Sequence, residues 1–301
     1  MKNLEIQSKN EVNIVGKLLS TTFREGTIQS TGKPYESCNY IVRVKQEISG
    51  KEEIHEIPLS VFATKYTNSG KVNPAFKTVQ DMKQMNTAQN DGEDKAAIVR
   101  INKATLSENI FIPQSGQLID GWQIRSSFVN EGGKGEFARF TVEIFIIDMH
   151  DEVNSEGDPT GRLIVRGGIV QYGEKLDIID FIVEDSDKVE YVSRNWEANQ
   201  TVVAAGRIRY TPQEVEISSA GESWGEEVMD SSAPKMKREL IITGGPAELP
   251  DEDFMYDPVE IKKGFNVRKA NIEQMQLNAK AGGQKKQAAT TAAPRQKFDW
   301  E

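Results

Sequence analysis

The sequence predicts a mainly β chain of two tandem small barrels, followed by a helix and a disordered tail. Three observations carry that expectation. Runs rich in β-branched and aromatic residues recur through the first 211 positions, separated by Gly, Lys, Ser and Asn. Two of these runs align: Gly16 and Phe23 in GKLLSTTFREG match Gly121 and Phe128 in GWQIRSSFVNEG, both at an offset of 105 residues. Beyond residue 211 the composition changes, first to an acidic polar stretch and then to a low-complexity tract.

The first unit, 1–112, opens with VNIVGKLLSTTF (12–23) and continues with SCNYIVRVKQ (37–46) and EIHEIPLSVFA (53–63). AFKTVQDMKQMNTAQN (75–90) reads as a short helix or an irregular connection before the strand AAIVRINKATL (96–106). The second unit, 113–212, repeats the order with LIDGWQIRSSFV, FARFTVEIFIIDM, RLIVRGGIVQY, KLDIIDFIV and TVVAAGRIRYT. About five strands per unit, with a glycine partway along a long first strand, suit a small Greek-key barrel of the OB type. The glycine lets that strand bend sharply enough to pair with both halves of the barrel. An open β-sandwich is the alternative. Residues 213–281 are expected to hold an acidic loop, a short strand RELIITGG (238–245) and a helix from about 266 that stops at Gly282–Gly283.

Composition limits the function classes. The 301 residues carry a formal charge of −9, yet residues 1–150 hold 18 basic and 18 acidic side chains. The acidity is concentrated in 211–260, with 3 basic against 13 acidic residues, so the acidic balance is no obstacle to a polyanionic partner for the barrels. No run of 18 apolar residues and no signal core occur, which points to a cytoplasmic protein without a membrane span. Cys38 is alone and reads as a small buried hydrophobe. His55 and His150 are the only histidines, and neither a nucleophile elbow nor a phosphate loop is present, so no enzyme, cofactor or metal is expected. DMHDEVNSEGDPTG (148–161) invites a metal reading but lacks the register of a calcium loop, and an acidic hairpin tip explains it more simply.

NEVNIVGKLLSTTFREG resembles the opening strand of single-stranded DNA-binding proteins, with Asn10, Val12, Ile14, Gly16 and Leu18 on the N-x-V-x-[LIV]-x-G-x-L pattern. The closing KFDWE resembles the acidic, aromatic tip of that family by character, although it lacks the family's Pro and terminal Phe. The resemblance, closest to phage-type members, implies an OB-fold protein that binds single-stranded DNA. It also implies recruitment of replication or recombination proteins by the tip.

A sequence-tolerant single-strand binder needs basic side chains for phosphates and rings on which bases stack. Candidates for that work are Tyr40, Arg43 and Lys45, then Arg100, then Trp122 and Arg125, Arg139 and Phe140, and Arg207, Arg209 and Tyr210. Tyr35, Phe62, Tyr66, Tyr172 and Trp196 are further candidate rings. GGQKKQAATTAAPRQ has almost nothing to bury, so 282–301 is expected to be a disordered tether. It would present Phe298, Asp299, Trp300 and Glu301 to a protein partner. The reading is a non-catalytic single-stranded DNA-binding protein of a phage or mobile element, acting in the host cytoplasm as a monomer or a homo-oligomer. A virion structural protein with tandem β-domains is the rival.

Overall fold

The computed structural model describes residues 1–48, 50–113, 117–212, 236–246 and 250–290, with side chains to residue 279. The acidic stretch 213–235 and the tip residues Phe298, Asp299, Trp300 and Glu301 lie outside the described residues.

Among the described residues, eleven strands form one hydrogen-bonded system containing two circuits of the same topology. The first comprises β1 (Asn10–Thr27), β2 (Pro34–Ile48), β3 (Lys51–Thr64), β4 (Ile98–Glu108) and β5 (Trp122–Arg125), with the short β6 (Val129–Glu131) added beside β4. β1 pairs with β2, β2 with β3, β3 in parallel with β5, β5 with β4, and β4 returns to β1. The second circuit repeats this order with β7 (Phe137–Val153), β8 (Pro159–Gln171), β9 (Lys175–Val183), β10 (Thr201–Pro212) and β11 (Met236–Gly244). Its parallel closure joins β11 to β9. Each circuit is the small OB-like barrel expected from the sequence.

Helices occupy the same place in both circuits. α1 (Pro74–Met82) and α2 (Ala88–Asp91) lie between β3 and β4, and α3 (Ser186–Asn195) lies between β9 and β10. Asn73 caps α1 by accepting a hydrogen bond from the Ala75 amide, with Pro74 supplying the preset first turn, while Asp185 caps α3 through the Lys188 amide.

The bend in β1 has the expected cause. At Gly16 a Cβ would collide with the Arg43 carbonyl and meet Val42 Cγ1 and Val44 Cγ2 at 2.9 Å, so the strand can press against β2 there only without a side chain. Gly206 of β10 is confined in the same way by the Ile241 carbonyl and the Phe140 ring.

Strand pairing corrects the order assumed from the repeat. Trp122–Arg125 falls inside the 113–212 span but closes the first circuit, and Met236–Gly244 falls beyond it but closes the second. Gly121 therefore precedes a last strand and is not the counterpart of Gly16; the strands that correspond by pairing include β4, which carries Arg100, and β10, which carries Arg207. The physical reason is that a closing strand is fixed by partners far away in sequence, which composition does not reveal.

The barrels are joined by antiparallel pairing of β1 with β7, from Asn10 opposite Val142 to Val15 opposite Phe137. One buried cluster runs through both, including Ile14, Leu18, Phe140, Ile144 and Phe181. α4 (Pro258–Thr290) starts earlier and runs further than expected, passing through Gly282 and Gly283. Asp257 accepts from the Val259 amide ahead of a favourable first-turn proline, a start signal that sequence reading missed. The helix packs Ile261 and Phe265 into a second cluster with Leu4, Phe145, Leu176 and Tyr256. Arg268 reaches across to pair with Glu108 of β4, so α4 touches both barrels.

Candidate nucleic-acid interface

Residues paired across neighbouring strands project to the same face, so the registers of β1, β2, β3 and β5 define rows of side chains. On the outer face one row is Gly26, Tyr35 and Thr64, and the next is Arg24, Ser37 and Phe62. A third is Thr22, Asn39, Ser60 and Arg125. These rows hold no carboxylate. Charge compensation begins at the far end of the sheet, where Arg43 pairs with Glu56 at 2.8 Å and also with Glu93.

Phe62 is 56% exposed, which is unusual for a phenylalanine paired within a regular antiparallel ladder. Its ring centroid lies 4.9 Å from that of Tyr35, tilted by 32°. Tyr35 in turn lies against Gly26, whose absent Cβ would stand 3.0–3.1 Å from the phenol. The rings form a half-open platform on a polar floor of Ser37, Asn39 and Ser60. Arg24 and Arg125 flank it, both exposed and with no carboxylate partner at ion-pair distance among the described residues. Such a face offers stacking surface and two cations for a backbone.

The residues expected to bind are distributed differently. Tyr40 is 2% exposed and its hydroxyl shares a 2.6 Å hydrogen bond with Ser126; burial pushes its pKa well up. It is a core residue and cannot stack a base. Phe140 is buried against Phe181 with centroids 5.6 Å apart, and Trp122 is buried with the Arg238 guanidinium 5.1 Å over its ring. Tyr210 is half-buried under the same guanidinium, and its amide donates to His55 Nδ1. Trp196 is buried as well.

Arg207 and Arg209 are engaged in a network at the junction of the barrels. Arg207 pairs with Glu184, while Arg209 pairs with Glu184 at 2.8 Å and with Glu239 at 2.9 Å. The arginine partners hold the Glu239 carboxyl below its usual range even though burial opposes this. His55 sits beside the network, opposite Val44 on the neighbouring strand, and is wholly buried. Burial lowers its pKa, and Arg209 and Arg207 act in the same direction against Glu53.

Lys45, Arg100, Arg125 and Arg139 remain exposed. Of these, Arg125 alone belongs to the three rows around the Tyr35 and Phe62 platform; Arg139 stacks on Phe137 at 5.4 Å near the seam between barrels. Sequence reading passed over Arg24 and ranked Tyr35 and Phe62 below buried rings. Cys38 is buried as expected, and burial raises its thiol to about 11. Among the described residues no cluster of three metal-ligating side chains occurs, and no helix is long and apolar enough to cross a membrane.

The family described as YorF matches residues 9–278. No curated protein matches the chain. Among solved structures, the single-stranded DNA binding protein from Thermus aquaticus is similar at a TM-score of 0.51 and 9% identity, with 82% of this chain and 97% of that chain covered. A replication protein A heterotrimer bound to ssDNA aligns at a TM-score of 0.25 and 8% identity, over 90% of this chain and 73% of its own, too low a score to bear on the fold.

Proposed function

We propose that this chain, which belongs to the YorF family, binds single-stranded DNA on the outer face of its first barrel and carries no catalytic activity. The observation that carries the reading is the exposed Phe62 ring stacked beside the half-buried Tyr35, set between Arg24 and Arg125 on rows without a carboxylate. Bases stack on the rings, with the planar face of any base sufficient for contact, and phosphates pass along the two guanidinium groups. The polar floor of Ser37, Asn39 and Ser60 supplies hydrogen-bonding groups without fixing a sequence. Fold similarity to the Thermus aquaticus protein, whose name gives single-stranded DNA as its ligand, supports the same reading.

The biological setting we propose is protection and organisation of single strands during replication or recombination of a phage or mobile element in the cytoplasm of its host. Phe298 and Trp300 serve as anchors for a replication or recombination enzyme, with Asp299 and Glu301 facing its basic residues. Removal of 298–301 is expected to abolish capture of such an enzyme while leaving DNA affinity intact.

Titration of the full chain with labelled oligothymidine, the matching RNA and a duplex, at two salt concentrations, tests the reading. Single-strand binding that weakens steeply with salt and exceeds duplex binding is expected. Equal affinity for duplex, or no binding at low salt, overturns it.

A further inference from the structure

The platform on the first barrel has a positional counterpart on the second, the outer face of β8 and β9, and the two faces differ in the exposure of their rings and in the pairing of their arginines. Resting on the reading above, we infer that the first barrel alone holds the strand and that α4 and local ion pairs close the second barrel's face, leaving one strand-binding face per chain.

The rows of the second face are Ile164 with Ile182, Arg166 with Asp180, and Gly168 with Ile178. On β7 the same rows continue to His150, Asp148 and Phe145, and Phe145 is buried, so they present no exposed Phe, Tyr or Trp. Arg166 forms two parallel hydrogen bonds to Asp180, at 2.8 and 2.9 Å, a bidentate pairing that uses the guanidinium edge a phosphate would need. Nearby Arg162 is taken up by Glu152 and Glu239. On the first face, by contrast, Arg24 and Arg125 form no ion pair among the described residues, although Arg125 acts on the Asp177 carboxyl at longer range.

α4 completes the closure. Phe265 and Arg268 line a cleft together with Ile164, Ile178 and Ile182, and the cleft's other wall is Asp120–Trp122 from the first barrel. Arg268 pairs with Glu108 and also lies 3.7 Å from the Asp120 carboxylate, so the helix is tied to the first barrel across the mouth of the second barrel's face. A strand laid there meets the carboxylates of Asp120, Glu152 and Asp180, and the Arg238 guanidinium that also lines the cleft is spent on the Trp122 carbonyl and on the Trp122 and Tyr210 rings. Closing the face also has a use: it turns the second barrel into a rigid support that fixes β1 through β7, and β1 carries Arg24 and Gly26.

The test is an equilibrium titration of the full chain with short oligothymidine over a series of salt concentrations, comparing Arg125→Ala with Arg166→Ala. Both positions are exposed, so neither variant threatens folding. Arg125→Ala is expected to weaken binding and to reduce the exponent of salt dependence by about 0.7, the contribution of one phosphate contact on a single strand. Arg166→Ala is expected to leave affinity and exponent unchanged, and oligonucleotides of about 8 to 15 nucleotides should saturate at one per chain. A loss with Arg166→Ala comparable to that with Arg125→Ala, or saturation at two short oligonucleotides per chain, overturns the inference. Failure of the unaltered chain to bind any oligothymidine is a different result, and it removes the functional reading instead.

Discussion

Tyr35 and Phe62 stand 4.9 Å apart across the pairing of β2 with β3, and Gly26 provides the space in which the Tyr35 phenol lies. The platform therefore depends on a residue that offers no contact of its own. Gly26→Val is expected to push the phenol off the sheet and lower single-strand affinity by about tenfold, within the range for loss of one base stack. The fold should persist, because Gly26 lies near the end of β1, and circular dichroism alongside the titration checks both halves of the prediction.

Tyr40 supplies the opposite control. Its hydroxyl shares a buried hydrogen bond with Ser126, so Tyr40→Phe is expected to cost about 1 kcal/mol of stability. Single-strand affinity should not change, since the ring is inside the barrel. Urea unfolding and one binding isotherm distinguish this from a role in stacking.

Gly16 is the tightest test of the barrel itself. Any side chain there runs into the Arg43 carbonyl, a backbone atom that cannot rotate away. Gly16→Ala is expected to destabilise the chain by about 1–3 kcal/mol, the usual scale for forcing atoms into a packed site. A midpoint of thermal unfolding equal to that of the unaltered chain would contradict the bend assigned to this glycine.

His55 gives the fold a pH dependence with a definite sign. Its folded pKa is depressed by burial and by Arg209 and Arg207, whereas in the unfolded chain it titrates near the ordinary value of about 6.5. Between those values the unfolded state binds more protons, so stability rises with pH. The contribution is complete above about pH 6.5 and is lost as the pH falls toward the folded pKa. Urea midpoints at pH 7.5 and 5.5 should fall in the unaltered chain, and His55→Gln should reduce that fall.

Much of the fold is legible in the sequence for a simple physical reason. The long strands alternate between core and surface, as in Cys38, Tyr40, Val42 and Val44 of β2, and period-two burial writes itself into the choice of residue. The two closing strands escaped assignment to their barrels. β5 is four residues long and β11 follows a long acidic segment, and each is defined by parallel pairing with a strand distant in sequence.

The site was partly legible, and one signal was available but unused. Arg43 and Lys45 share odd positions with Tyr35, whereas Tyr40 is even, so alternation already places Tyr35 on their face and Tyr40 on the opposite one. The same parity sets Phe140 apart from Arg139, and Tyr210 apart from Arg209. What alternation does not give is the register between strands. The placing of Arg24 opposite Ser37, of Ser37 opposite Phe62, and of Arg125 opposite Ser60 needs the folded sheet. Nor does it give ion pairing, which withdraws Arg207 and Arg209 into the junction with Glu184 and Glu239.

The central claim is that the outer face of the first barrel holds single-stranded DNA by stacking on Phe62. Its most direct test is the dissociation constant for oligothymidine, measured by fluorescence anisotropy, for the unaltered chain and for Phe62→Ala. More than half of that side chain is already in water, so its removal should leave the fold intact. A rise of about 5- to 150-fold is predicted, the range for losing one base stack. An unchanged dissociation constant in a folded variant would contradict the account.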